Sequence, residues 1–383
     1  MTQPTLDLLI SASHAVCPSS GIDGPCAIGV AAGRISFVAT GDTPPSLPPA
    51  KSSIRVDNGL LLPGLVDLHA HPAGAGSRFG IDADQYFLKR GATTVLSQGD
   101  AGARNAQRYI HETIEKVETR VLLALNFCAD GEEKTGGRFF SLDEASVEAC
   151  VRAVREGQPH IWGISLNIAF IQGRDVDPLV VMRRGIAAAE ELGCPVIFGA
   201  TKDTRTPLEA QLPLLRPGDV LTYCFHPGDG KITRDGRVLD CAWEAKERGV
   251  LFDVADGVAA FGYDVAQAAI SEGFLPDSNS SDFFRWRLDE GVMLDMPTVV
   301  SKLVAAGMTP EQCWPGITSV PAAALGLAGE VGTLTVGAAA DFCVVEQGDA
   351  TEPLVDGMGQ ERLARRWSPT LVIKGGRVIR NEG

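Results

Sequence analysis

Two histidines, His69 and His71, lie at the end of an apolar run that begins at Leu61 and are separated by one residue. In a β-strand this spacing places both imidazoles on the same face. Two neutral imidazoles directed at one point can bind a divalent transition metal. A histidine pair on an ordinary strand is the simpler reading of the bare pattern, but here an apolar strand, broken by Pro63 and Gly64, carries the pair at its C-terminal end. We therefore predict the floor of a metal site.

The segment around this pair, Leu61–Pro72, resembles the first barrel strand of the metal-dependent amidohydrolase superfamily, which typically reads PGLVDLHxH. Within that superfamily the chain is most similar to the branch of dihydroorotase, D-aminoacylase and small deacetylases. Further matching stretches follow in the family's order: Arg90–Val95, Leu215–Asp219, Ser280–Asp282 and Gly332–Phe342. The last resembles the family's closing signature, and the resemblance covers nearly the whole chain. It implies an α/β fold, a (β/α)8 TIM-like barrel with a small β-sandwich formed from both chain ends.

The pattern of apolar runs fits that expectation, because short runs alternate with helical patterns between residues 63 and 329. After the histidine strand we predict strands at 92–97, 120–127, 160–168, 195–200, 219–226, 249–255 and 276–282. We predict helices at 102–117, 141–156, 177–192, 240–248, 262–272 and 296–306. The domains are then a composite β-sandwich of residues 1–62 and 330–383, and a catalytic barrel of residues 63–329.

Composition bounds the function. A chain of 383 residues with 45% hydrophobic content can bury a large core. A net charge of -14 argues against a nucleic-acid partner, since binding phosphates requires clustered Lys and Arg. No apolar run reaches the roughly 18 residues of a membrane helix, so we expect no membrane partner. Nine cysteines without a C-x-x-C pair indicate reduced thiols and a cytoplasmic location. The expected partner is a small-molecule substrate, and the resemblance implies a homo-oligomer.

Asp282 ends the predicted eighth strand. In the family that it resembles, the matching aspartate binds the more buried metal, takes a proton from the attacking water and passes it to the leaving group. The chemistry requires such a group, because a metal lowers the pKa of water but the departing nitrogen still needs a proton. The alternative is that Asp282 only caps the following segment, residues 283–286.

The remaining ligand positions depart from the family pattern. Ser165 stands where relatives with two metals carry a lysine, often carboxylated, and Gly199 and Tyr223 stand at the two following histidine positions. This depleted set favours one metal, held by His69, His71 and Asp282, with a coordination position left for water. We expect Zn²⁺, with Mn²⁺ or Fe²⁺ as alternatives.

His226 and Asp100 are further candidates near strand ends. His226 could be a displaced metal ligand, a substrate-binding group or a proton carrier, or a plain loop histidine. Asp100 could bind metal, as acids at this position do in some relatives. We favour its alternative role, the N-cap of a helix beginning near Gly102.

Three polar side chains at the same end of the barrel, those of Tyr223, Ser165 and Asn167, could hydrogen-bond the substrate. Lys202 and Arg205, in the loop after the fifth strand, could attract an anionic substrate. A solvated loop charge is the interpretation we favour for both.

Three classes of function follow. The leading class is a metal-dependent hydrolase that cleaves a C–N bond other than a peptide bond, in a cyclic amide, an imide or an N-acyl group; an ester is accessible to the same water. The second is a deaminase of a nitrogen heterocycle, although the fifth-strand histidine and the H-x-x-E acid of deaminases are not found. The third is a degenerate barrel that serves as a binding subunit.

Overall fold

The computed structural model describes residues 5–41, 47–134 and 137–381. Its strands are β1 (Leu6–Cys17), β2 (Ile22–Ala31), β3 (Arg34–Thr40), β4 (Ala50–Val56), β5 (Leu60–Pro63), β6 (Leu65–Ala70), β7 (Ala92–Gly102), β8 (Arg120–Asn126), β9 (Ile161–Asn167), β10 (Val196–Gly199), β11 (Val220–Leu221), β12 (Thr233–Arg234), β13 (Arg237–Val238), β14 (Leu251–Phe252), β15 (Phe342–Val355), β16 (Glu361–Lys374) and β17 (Arg377–Asn381). Its α-helices are α1 (Ala83–Tyr86), α2 (Ala106–Glu112), α3 (Val147–Glu156), α4 (Pro178–Leu192), α5 (Leu208–Gln211), α6 (Asp240–Glu247), α7 (Tyr263–Ser271), α8 (Arg285–Asp289), α9 (Met296–Ala305), α10 (Pro310–Cys313) and α11 (Ser319–Ala324).

Seven strands form a parallel sheet in the order β6, β7, β8, β9, β10, β11, β14. Every neighbouring pair is parallel, and each strand lies beside its predecessor. Parallel neighbours require a crossover, which helices such as α3 and α4 provide. The carboxyl ends of all seven strands therefore meet at one edge, where inward side chains from distant parts of the chain converge.

The predicted eighth strand contacts both edge strands of this sheet. Ser278 forms a parallel bridge with Asp253, just beyond β14. On the other side, the amide of Asp282 donates to the carbonyl of His69 in β6, at 2.7 Å. The α/β fold with a parallel barrel sheet is thus confirmed for seven strands, and closure into a complete eight-stranded barrel stays a prediction.

The strands at the two chain ends form one eight-stranded sheet, in the order β17, β16, β15, β5, β1, β2, β3, with β4 beside β1. The two ends meet where β5 runs antiparallel to β15, with Pro63 opposite Phe342. Buried aliphatic side chains such as Ile10, Ile28 and Ile373 fill its core. A strand-rich sheet built from both ends is confirmed, whereas the two-layer sandwich and the domain boundaries stay predictions.

The helices lie close to the predicted spans. Helix α4 begins with Pro178 in its first turn and ends at Gly193, whose φ of 64° is the left-handed cap that glycine favours. The exception is the predicted helix 102–117, because β7 continues to Gly102 and α2 begins only at Ala106. Across the described ranges, no helix is both long enough and apolar enough to cross a bilayer.

Candidate metal centre

Three buried side chains converge at the carboxyl edge of the parallel sheet. Nε2 of His69 and Nε2 of His71 each lie 3.3 Å from the same oxygen, Oδ1 of Asp282. The side chains of His69, His71 and Asp282 are all fully or almost fully buried. No described group donates a hydrogen bond of good geometry to Oδ1 of Asp282. Two imidazole nitrogens and an unpaired carboxylate oxygen directed at one point are the donor set of a divalent metal ion.

The backbone holds Asp282 in an uncommon conformation. Its φ of 45° lies in the left-handed region, which costs energy for a residue with a Cβ and persists only where the surroundings enforce it. Its neighbour Ser281 is anchored by the buried carboxylate of Asp67, which accepts from the Ser281 hydroxyl at 2.6 Å and from its amide at 3.1 Å. The site therefore directs the Asp282 carboxylate inward instead of leaving it to cap α8, whose N-cap residue is Phe284.

The hydroxyl of Thr222, backed by the carboxylate of Asp253, orients His69. Nδ1 of His69 lies 2.7 Å from Oγ1 of Thr222, and this hydroxyl donates to Oδ2 of Asp253 at 2.9 Å. The hydroxyl of Ser280 donates to the same carboxylate oxygen at 2.7 Å. Since Thr222 donates to Asp253, it accepts from Nδ1–H of His69, which leaves the Nε2 lone pair facing the centre.

The ring of His71 is oriented by two acids. Its Nδ1 lies 3.2 Å from Oδ1 of Asp100 and 3.0 Å from Oε2 of Glu132. The predicted N-cap role of Asp100 is wrong. Because β7 extends past it, Asp100 is fully buried, accepts from the Ser97 hydroxyl at 2.6 Å and faces His71. Nδ1–H thus points to carboxylates, and Nε2 of His71 is left for a metal.

Sequence reasoning missed Glu132. It lies in an irregular segment after β8, without a motif, yet its side chain is buried and borders the same cavity as Asp282. Burial raises the pKa of Glu132, and the neighbouring His71 partly offsets that rise. The available signal was its position just beyond the end of the third barrel strand, where site residues of such barrels lie.

The charges of the site favour a cation. Burial opposes a charge on His71, but Glu132 and Asp100 outweigh it and hold the pKa of His71 well above its usual value. Burial likewise opposes ionisation of Asp282, but His69 and His71 hold the pKa of its carboxyl below the usual range. Four acids around the two imidazoles, Asp100, Glu132, Asp253 and Asp282, stabilise positive charge, either as a proton or as a metal ion that displaces it. The residues present therefore fit a divalent metal.

Tyr223 lies beside this centre. Its hydroxyl is 3.3 Å from Nε2 of His69, and the two rings lie 5.0 Å apart. Its φ of 61° is an outlier for a bulky aromatic residue, which requires strong local constraints. Burial, with Asp282 and Glu132 adding to it, raises the pKa of Tyr223 well above its usual value, so the phenol keeps its proton and can donate it in a hydrogen bond.

The other positions that depart from the family pattern carry no metal ligand. Ser165 is fully buried, and no described group hydrogen-bonds its hydroxyl. Gly199 lies under the side chain of Asn167, whose Oδ1 would be 2.6 Å from a Cβ at position 199. The structure therefore places Ser165 and Asn167 near the mouth of the sheet but not in the group formed by His69, His71 and Asp282.

A cavity of about 290 Å³ opens above the centre. Its polar lining includes Glu132, Asn167, Lys202, Tyr223, His226 and Asp282. Aromatic residues line another part, where Phe79 and Trp286 lie 5.1 Å apart and Phe284 lies 5.8 Å from the ring of His71. The structure therefore assigns Phe284 and Trp286 to the cavity wall.

His226 lines the cavity but is not among the groups that could hold a metal. Burial, with Lys202 adding to it, lowers the pKa of His226 to about 4, so the imidazole is neutral at physiological pH. Its Nδ1 accepts from the amide of Gly228 at 3.2 Å. Lys202 also lines the cavity, whereas Arg205 is paired with Asp203.

Comparisons with known proteins found a family model, curated relatives and solved structures similar to this chain. The model of the Amidohydrolase family matches residues 245–379. A deacetylase of Enterococcus faecalis is 26% identical over 338 residues, which cover 87% of this chain and 90% of that protein. A deacetylase of Brucella anthropi is 28% identical, over 85% of this chain and 81% of its own length. Among solved structures, an adenine deaminase superposes over 98% of this chain and 100% of its own, with a TM-score of 0.86 and 25% identity. A dihydroorotase covers 98% of this chain and 97% of its own, with a TM-score of 0.84 and 26% identity.

The chain is similar to the amidohydrolase superfamily, through the family model over residues 245–379 and through these relatives over most of its length. Its structural neighbours imply the TIM-barrel fold of that superfamily, with the parallel sheet described above. Amidohydrolases generally bind divalent metals, which agrees with the donor set of His69, His71 and Asp282. Two further histidines lie outside this group, since half-buried His14 pairs with Asp23 and exposed His111 pairs with Glu115.

Proposed function

We propose that this protein is a metal-dependent enzyme that cleaves the C–N bond of an N-acyl group or a cyclic amide in a small molecule. At the coarser level, it is a hydrolase of C–N bonds other than peptide bonds, as the family and the deacetylase relatives indicate. The observation that carries the proposal is the position of Oδ1 of Asp282, 3.3 Å from Nε2 of both His69 and His71.

One divalent ion, for which we propose Zn²⁺, would be held by His69, His71 and Asp282. When bound, it would lower the pKa of a water molecule and polarise the substrate carbonyl. Asp100 and Glu132 would keep the proton of His71 on Nδ1, and Thr222 would do the same for His69.

Asp282 would also carry the proton. The carboxylate is buried and deprotonated in the resting site, so it can accept a proton from the attacking water and deliver it to the departing nitrogen. The un-ionised hydroxyl of Tyr223 would donate a hydrogen bond to the carbonyl oxygen as negative charge develops there. The aromatic wall of Phe79, Phe284 and Trp286 would keep bulk water out.

The cavity fits a small organic molecule of modest size. Its apolar and aromatic lining would bind a hydrocarbon part of the substrate, and Asn167 would bind polar atoms. A homo-oligomer and a cytoplasmic location stay predictions.

Deamination of a nitrogen heterocycle is a second candidate, favoured by the structural similarity to an adenine deaminase. Both reactions use an activated water and a proton carrier, and they differ in the leaving group. Release of ammonia from purines or pyrimidines, compared with release of acetate from N-acetyl compounds, distinguishes them.

The central experiment measures bound metal in protein purified without added ions, together with hydrolysis of N-acetyl amino acids, cyclic imides and acyl esters. We expect about one equivalent of metal, loss of activity on chelation and recovery with Zn²⁺ or Mn²⁺. His69→Asn should abolish metal binding, whereas His111→Asn, at an exposed position, should leave it unchanged. Protein that binds no metal and gains no activity from added ions would instead be a degenerate binding subunit.

A further inference from the structure

The C-terminal hairpin reaches the mouth of the barrel. Strands β15 and β16 are joined by the turn 356–360, which we call the hairpin tip. The buried carboxylate of Asp356 accepts from the amide of Tyr263 at 2.9 Å, and the amide of Gly357 donates to the carbonyl of Phe261 at 2.9 Å. Phe261 directly follows the residues 255–260, which we call the mouth loop. The hairpin tip is thus hydrogen-bonded where the mouth loop ends.

The hairpin tip and the mouth loop are packed so closely that Gly357 has no room for a Cβ. A Cβ at Gly357 would lie 2.5 Å from Cα of Ala259 and 2.9 Å from its nitrogen. These are backbone atoms, which cannot move aside as the end of a flexible side chain can. Ala259 and Ala255 have φ values of 52° and 48°, so the loop holds an uncommon backbone that its neighbours must enforce.

The opposite face of the mouth loop lies against the metal centre. A Cβ at Gly257 would overlap Oδ2 of Asp282. The next three residues, Val258, Ala259 and Ala260, line the cavity. The mouth loop is therefore a single layer of chain between the hairpin tip and the Asp282 carboxylate.

Strand β16 of the same hairpin is also linked to the mouth loop through helix α9. The carboxylate of Asp256 is fully buried and accepts from Nζ of Lys302 at 2.5 and 2.6 Å. Lys302 belongs to α9, and α9 is bonded to β16 through the Ser301 hydroxyl, which accepts from the amide of Trp367 at 2.8 Å. Removing one partner of a buried ion pair is costly, so the pair of Asp256 and Lys302 keeps the mouth loop attached to α9.

We propose that the hairpin tip, through Asp356 and Gly357, positions Asp282 by pressing the mouth loop against its carboxylate. The tip is a positioning element, because its residues neither line the cavity nor belong to the group of His69, His71 and Asp282. This inference rests on the proposed metal-dependent function. It assigns to the C-terminal sheet a role in the geometry of a site whose ligands all come from the barrel segments.

The test is a titration of metal-free protein with Zn²⁺ against a chromophoric chelator, followed by measurement of kcat and KM of the reloaded enzyme. In Gly357→Ala we expect Zn²⁺ affinity to fall about tenfold, the scale seen when groups that support a ligand are removed, and kcat to fall more than KM rises. Gly257→Ala, on the inner face of the loop, should have the larger effect on affinity. The control is Met358→Ala, since this side chain at the tip is 62% exposed.

Unchanged Zn²⁺ affinity and kcat in a folded Gly357→Ala protein would overturn the positioning role while leaving the proposed function intact. If that variant does not fold, Asp356→Asn takes its place, because it keeps the side chain's size and replaces a carboxylate oxygen by a donor; unchanged affinity there has the same meaning. Wild-type protein that binds no Zn²⁺ would instead refute the proposed function, and the positioning role with it.

Discussion

The two sides of the barrel mouth differ in chemistry. On the side of the first and eighth strands, His69, His71 and Asp282 form a buried group in which each donor atom faces the same point. On the side of the fourth to sixth strands, Ser165, Gly199 and Tyr223 offer hydroxyl groups or no side chain at all. The first side, which we call the metal side, can bind a metal. The second, which we call the donor side, offers only hydrogen bonds, or leaves room for a substrate where there is no side chain.

The two sides would supply different kinds of stabilisation to a reaction. A divalent ion supplies charge without directional hydrogen bonds, whereas a neutral phenol supplies one directed donor. The hydroxyl of Tyr223, on the second side, comes within 3.3 Å of Nε2 of His69 on the first. We infer that the donor side supplies directed hydrogen bonds to the substrate, whereas the metal side supplies charge.

The largest effect should come from the metal side. Asp282→Asn should lower kcat by about 10³-fold, since an amide cannot carry the proton, while the fold and most of the metal are retained. Steady-state kinetics and metal analysis of the same preparation check this. Asp289→Asn, at an exposed position on α8, is the matched control. Near-normal turnover in Asp282→Asn would remove the assigned proton route.

Tyr223→Phe tests the donor side directly. We expect kcat to fall about 10²-fold, because one donor to the developing oxyanion is lost, with bound metal unchanged. Loss of metal in this variant would show instead that the phenol is a ligand, and the division between the two sides would have to be redrawn.

His226 gives a pH-dependent test of the donor side. Its pKa of about 4 in the folded protein lies below the value near 6.5 of an unfolded chain, so its neutral form stabilises the fold. That stability is fully present above pH 6.5 and is lost as the pH falls toward 4, by about 1–2 kcal/mol between pH 6.5 and 4.5.

Urea unfolding of His226→Asn over this range should show a shallower decline in the free energy of unfolding. Asn keeps an oxygen that can accept from Gly228. His111→Asn, at an exposed site, serves as the control. An identical pH profile for wild type and His226→Asn would contradict the buried, neutral state of His226.

Lys202 should have the smallest effect. Lys202→Ala should raise KM about two- to fivefold for carboxylate-bearing substrates and leave kcat unchanged, as expected for an exposed charge. The comparison is Arg205→Ala, because Arg205 pairs with Asp203 and does not line the cavity. Equal effects of both substitutions on KM would show that the substrate is attracted by the overall positive charge of the loop and not by Lys202 itself.

The two histidines of the metal side were predictable from a local rule, because the H-x-H spacing fixes one face of β6. Asp282 was assigned from its place at the end of the predicted eighth strand together with the resemblance to the family. The donor side was harder to predict from the sequence. The φ of Tyr223 and the burial of His226 depend on packing among distant segments, which no local pattern records. Asp100 was misread because β7 runs farther than its apolar pattern, and Glu132 lies in a stretch without periodicity.

The passage from β5 to β6 occupies one residue, Gly64. Its amide donates to the carbonyl of Asp341 at 2.7 Å, and a Cβ there would lie 2.7 Å from the Asp341 side chain. The strand that carries the two imidazoles is therefore joined to the terminal sheet by a single residue that has no room to move. A fragment that begins after this junction would lose the contacts that hold its first strand. A chimera with a different terminal sheet would therefore have to keep Gly64 and its contacts with Asp341.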